Sequence, residues 1–78
     1  MDLFRYVFDR LSEAGRPDAA ARACIYDQCR AEIAARHAGQ PSHDKTLADL
    51  EKVIRRQEMQ ALYEESLERD AEERPKQT

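Results

Sequence analysis

Apolar residues recur along most of this chain at spacings of three and four, the periodicity that gathers side chains on one side of an α-helix. Leu3, Val7, Leu11 and Ala14 form the first such row, with Phe4 and Phe8 on the row beside it. Asp2, Arg5, Asp9, Ser12 and Glu13 fall on the opposite side, so the pattern predicts a short amphipathic helix over about 2–14. Gly15, Arg16 and Pro17 end it, because Gly accepts the left-handed backbone of a helix terminus and Pro cannot continue the hydrogen-bond ladder. Phe4 and Phe8 are first expected to pack inward on the later helices; the competing expectation is an exposed aromatic docking face or a membrane anchor, the latter disfavoured by the acids Asp2 and Asp9 on the polar side.

A second pattern runs from Asp18, a good N-cap, to about Ala38 before Gly39, Gln40 and Pro41 close it. It presents two unlike faces. Ile25, Cys29 and Ile33 stand at four-residue spacing with Tyr26 beside them, and the far side carries Ala20, Ala23, Cys24, Ala31, Ala34, Ala35 and Ala38. Small side chains permit close helix approach, although an alanine-rich surface also follows from helix propensity alone. Arg22, Arg30 and Arg36 are expected in solvent, their stems lying along the helix.

The linker from Gly39 to about His43 is short enough to fold the third helix back antiparallel on the second as a hairpin. Two starts compete for that helix. Ser42 can cap a beginning at His43, or Thr46 can cap one with Asp49 in the reciprocal position. The third helix, about 44–71, carries Leu47, Leu50, Ile54, Gln57 and Ala61 as a row expected to face Tyr26, Cys29 and Ile33. Met59, Tyr63 and Leu67, with Leu62 beside them, lie well over about 100° around the helix from that row. Something else must cover them: the first helix of the same chain, or a second copy. The reading is therefore all-α, an antiparallel helical hairpin with a short N-terminal helix, completed as a three-helix bundle or a dimeric bundle. One helical domain is expected over 1–74, with a frayed tail at 75–78.

Composition changes this picture in two ways. Charged residues make up 37% and mean hydropathy is −0.89, values near those of a disordered chain, so it is the phasing of the apolar residues that argues for folding. A 78-residue domain buries only about 60% of the surface its unfolded chain exposes, and such a core leaves roughly 3–5 kcal/mol of net stability. Oligomerisation is the usual supplement, and a homodimer is the simplest form of it.

Charge and segment character narrow the partners. A net charge of −3 and a pI near 5.3 argue against nucleic acid as the main partner, since affinity there rests on many phosphate contacts by Lys and Arg. No apolar run reaches the roughly 20 residues that span a bilayer, and MDLFRYVFDR has acids where a secretory signal has basic residues, so no membrane partner and a cytoplasmic location are expected. Cys24 and Cys29 are five apart, about 140° around a helix, and cannot bridge each other there; reduced thiols fit the same compartment.

Candidate chemistry is sparse. His37 and His43 flank the hairpin turn without a second ligand at helical metal-site spacing, and the cysteines lack a CxxC partner. The carboxylates lie on polar faces where nothing tunes them for acid or base work, and both glycines sit at helix ends rather than in a phosphate loop. No catalytic, metal or cofactor-binding residue is expected, and no enzymatic activity.

Arg22, Ala23, Ile25, Tyr26, Arg30 and Ala31, followed after the linker by Leu47, Leu50, Glu51, Ile54, Arg55, Arg56 and Glu58, together resemble a helical-hairpin motif, RAxIYxxxRA … LxxLExxIRRxE, of small uncharacterised proteobacterial proteins. The resemblance covers roughly the middle half of the chain. It implies the hairpin and a bacterial cytoplasmic origin, and attaches no site and no function.

Three functional expectations follow. The first is a non-enzymatic interaction module, a regulator or adaptor of another protein that also self-associates, with Phe4, Phe8, Ala20, Cys24, Ala31, Ala35, Met59, Leu62, Tyr63 and Leu67 as its candidate interface. The second is a nucleic-acid-binding regulator using the second helix or the Arg55 and Arg56 pair. The third is an acidic chaperone or inhibitor that caps a basic partner surface with the stretch from Glu64 to Glu73.

Overall fold

The three amphipathic patterns become three helices whose ends fall within two residues of those expected. The computed structural model describes the backbone of residues 2–73 and the side chains of residues 2–71. It contains α1 (Leu3–Glu13), α2 (Ala19–Arg36) and α3 (His43–Glu73), with no strand among the described residues. The frayed tail expected at 75–78 lies outside the described residues.

Local chemistry explains the boundaries. The Asp2 carboxylate accepts from the Arg5 backbone N–H at 3.2 Å, and that of Asp18 from the Ala21 N–H at 2.8 Å, each satisfying a donor that the first turn leaves unpaired. Gly15 and Gly39 adopt φ values of 80° and 77°, a region that other residues rarely enter, and so end α1 and α2. Of the two starts open to α3, the earlier one forms: the Thr46 N–H donates to the Ser42 carbonyl at 2.9 Å, which makes His43 the first helical residue.

Helix α2 runs antiparallel to α3, because partner numbers fall along α3 as they rise along α2. Arg22 meets Glu58 and Glu65, Tyr26 meets Glu58, and Arg30 meets Glu51. Helix α1 returns along both, with Tyr6 and Arg10 reaching Glu32 in the later turns of α2. One chain therefore completes the three-helix bundle. Val7, Tyr26, Cys29, Ile33, Leu50 and Ile54 are buried at its centre, and Leu3, Tyr6, Leu11, Ile25, Leu47 and Val53 pack around them. The row of α3 expected to face α2 does so, and Gln57 and Ala61 continue it half-buried.

Two expectations about facing residues change. The inward stripe of α2 is Arg22, Tyr26, Cys29 and Ile33, at spacings of four, three and four, rather than Ile25, Cys29 and Ile33. Ile25 sits on the shoulder, seven residues before the Glu32 that meets α1, since α2 must serve two neighbours. Phe4 and Phe8 are not core residues; they are 49% and 51% exposed. An 11-residue helix laid on two others buries one stripe, and Leu3, Val7 and Leu11 occupy it.

At 1.5 Å per residue α3 is roughly 46 Å long against about 27 Å for α2. Its last turns project past the start of α2, giving a rod of 62 × 19 × 17 Å. Arg16, in the α1–α2 connection, reaches that extension and pairs with Glu68 at 2.5 Å.

Candidate interaction surface

Two features of the bundle could carry function: a polar seam inside it and an apolar surface outside it. The seam centres on Arg22, only 4% exposed. Its Nε donates to Glu58 Oε1 at 2.8 Å, and its Nη2 donates to Glu58 Oε2 at 3.0 Å and Glu65 Oε1 at 2.7 Å. Nη1 donates to the Pro17 carbonyl at 3.0 Å, and Tyr26 Oη adds a further bond to Glu58 Oε1 at 3.0 Å. A second polar contact joins α1 to α2, where Tyr6 Oη and Arg10 both donate to Glu32, Arg10 at 2.5 Å. No side-chain polar atom among the described residues is buried without a partner.

This arrangement fixes protonation states rather than poising them. Hydrogen bonding from Arg22, then from Tyr26, holds the Glu58 carboxyl below its ordinary range, and the Tyr6 hydrogen bond does the same for Glu32. Burial, reinforced by the neighbouring glutamates, pushes the Tyr6 and Tyr26 phenols up to about 12. Burial also raises the Cys29 thiol, away from the thiolate a nucleophile needs. General acid–base work requires a group that gains and loses its proton near neutrality, which none of these does.

The seam corrects two sequence expectations. Arg22 is not solvated, and Arg30 is held by Glu51 at 2.7 Å and Asp27 at 2.8 Å. Carboxylates thought to lack partners, Glu32, Glu51, Glu58 and Glu65 among them, have close ones. A signal was available: Glu51, Glu58 and Glu65 repeat every seven residues, so they share one side of α3, and Arg22 stands four residues before Tyr26 on the inward row of α2.

Outside, the structure sorts the candidate interface residues into two groups. Phe4 and Phe8 stack with centroids 6.4 Å apart, and Phe4 lines a groove of about 570 Å³ with Met59, Tyr63, Arg56, Gln57 and Gln60. Met59 is 64% exposed and Tyr63 60%. Leu67, also half-exposed, continues the Tyr63 row by one turn, and Leu62 borders Met59 on the side nearer α2. The phase change read along α3 is thus real, and α1 supplies aromatic neighbours to the late apolar set without covering it.

Ala20, Cys24, Ala31 and Ala35 lie elsewhere. All four are exposed on the outer side of α2, opposite Arg22 and Cys29, and the bundle does not bring them to the aromatic surface.

The alternative functional features divide as well. Arg22 and Arg30 of α2 are engaged by carboxylates, whereas Lys52, Arg55 and Arg56 are exposed on α3 with no ion-pair partner among the described residues. From the acidic stretch, Glu65 and Glu68 are taken by Arg22 and Arg16. His37 contacts Gln40, His43 contacts Asp44, and no group of His, Cys, Asp or Glu among the described residues is placed to hold a metal ion. No helix among the described residues is long and apolar enough to cross a membrane. No protein-family model matches this sequence, and no curated protein or solved structure resembles it closely enough to count as a match, so the reading of function rests on the geometry of these surfaces.

Proposed function

We propose that this protein is a small non-enzymatic helical interaction module that associates with itself, through the apolar surface of α1 and α3, in the service of regulating or adapting another protein. The observation that carries the reading is the groove of Phe4, Met59 and Tyr63 with Phe8 stacked on Phe4, four large apolar side chains that the chain's own bundle leaves about half or more exposed. Large apolar patches on a small protein mark association surfaces.

Magnitudes support the same conclusion. Burying a large apolar side chain gives about 1.5–3 kcal/mol, so covering the exposed part of these four gives on the order of 4 kcal/mol per copy. That is comparable with the roughly 3–5 kcal/mol that a core of this size supplies to folding.

The test is sedimentation velocity across a wide concentration range. The expected result is a mass that climbs from 9.0 kDa toward twice that value. A species that stays at 9.0 kDa throughout, with a cooperative thermal transition, overturns the self-association reading.

A further inference from the structure

The outer side of α3 carries an ordered sequence of surface types. Lys52 and Arg55 come first, then Met59, Leu62 and Tyr63, then Ser66, and then Asp70. Residues 52, 55, 59, 62 and 66 alternate in steps of three and four, the spacing of a seam that meets another helix. All of them are exposed, and Lys52, Arg55 and Asp70 have no ion-pair partner among the described residues. The inner side of α3 is already committed to α1 and α2.

We infer that the occupant of this seam is the α3 helix of a second copy, running antiparallel. This rests on the self-association proposed above and specifies its face and direction. Charge makes the choice. A parallel pair would set Lys52 and Arg55 of one copy against the same residues of the other, whereas an antiparallel pair centred beside Leu62 and Tyr63 sets the Arg55 turn of each against the Asp70 turn of its mate. Met59 then meets Ser66 of the mate, a small residue that leaves room for the thioether.

Symmetry brings α1 in. A two-fold axis crossing an antiparallel pair of facing helices keeps the same flank of each copy on the same side, so Phe4, which shares a groove with Tyr63, lies on the same side of the axis in both copies, with Phe8 stacked on it. The seam from Lys52 to Asp70 spans 19 residues, about 28 Å, leaving both ends of the rod free.

The experiment is a charge-swap cycle on the full chain, read as dimer dissociation constants by sedimentation, with circular dichroism confirming helicity in each variant. Arg55→Asp and Asp70→Arg each weaken dimerisation about tenfold, since two symmetry-related contacts turn from attraction to repulsion. The double variant recovers most of the wild-type affinity, and Met59→Glu abolishes dimerisation at concentrations where wild type is dimeric. Single variants whose effects simply add without recovery, or dimerisation untouched by Met59→Glu, overturn the antiparallel α3 pairing while self-association through another surface stands. A wild-type chain that never dimerises removes both.

Discussion

The two sides of α3 are built from the same materials, large apolar residues bordered by charges, and differ in whether each finds a partner. Inward, Leu50 and Ile54 are buried against α2 and α1, and Glu58 and Glu65 close on Arg22. Outward, Met59, Leu62 and Tyr63 face solvent between Arg55 and Asp70, neither of which has an ion-pair mate among the described residues. On this helix, amphipathicity alone does not mark the core. Both sides are packable, and one has been packed. The outer side of α2 sharpens the point, because Ala20, Cys24, Ala31 and Ala35 are exposed too but ask little of a partner: alanine costs little in water and is the best helix former.

The largest expected effect comes from the packed side. Leu50→Ala removes a fully buried side chain at a cost of about 3 kcal/mol, which leaves roughly 0–2 kcal/mol of the net stability of so small a core and should bring the thermal midpoint of dilute protein down close to room temperature by circular dichroism. Met59→Ala, the matching truncation on the unpacked side, should shift the unfolding free energy of dilute protein by no more than about 0.5 kcal/mol. Equal losses at the two positions would break the distinction between the sides.

Next in size is Arg22→Ala, which leaves Glu58 and Glu65 without their buried counter-charge. Because those carboxylates retain 30% and 39% of their exposure, the cost should be about 2 kcal/mol in urea titration rather than the larger penalty of a fully buried pair.

Smaller again is the dependence on pH. Glu58 and Glu32 have carboxyl groups depressed below the ordinary value of 4.5, so their contribution is complete above that value and is lost as pH falls through the depressed folded values. Tyr6 and Tyr26 titrate in the other sense. Their pKa values rise from 10.0 to about 12, so their contribution is complete below pH 10.0 and fades as pH climbs toward 12. Unfolding free energy should therefore hold a plateau between these limits and fall at both ends; loss of stability through the neutral range would mean that the seam does not hold the bundle.

The smallest effect is predicted for Ala31→Trp on the outer side of α2, where folding and dimerisation should each change by less than about 0.5 kcal/mol in thermal melts and sedimentation. If this variant dissociates the assembly, the alanine surface is the interface and the contrast between the two sides of α3 loses its functional meaning.

Much of the fold was legible in the chain because its signals are local. Asp18 caps where a cap was expected, Gly15 and Gly39 stop the helices, and the change of phase at Met59 follows from spacing alone. Choices between equivalent rows were not legible. Leu3, Val7 and Leu11 compete with Phe4 and Phe8 for one groove, and only three-dimensional packing decides which set enters. Arg22 escaped for a different reason: a pattern of apolar positions scores a guanidinium as solvent-facing, so a buried arginine shows only when the seven-residue repeat of its acidic partners is set beside it.

That repeat has a further consequence. Acids stand at 44, 51, 58, 65 and 72 of the chain. Sliding α3 by seven residues along α2 would offer Arg22 the pair Glu51 and Glu58 in place of Glu58 and Glu65, and would offer Arg30 Asp44 in place of Glu51. The charge ladder is thus degenerate, like a zipper whose teeth mesh equally well one notch away. The apolar residues are not: the same slide puts His43 where Leu50 sits, and the opposite slide puts Gln57 there. In this hairpin the ion pairs supply grip, and Leu50, with Val53 beside it, tells the helices where to stop.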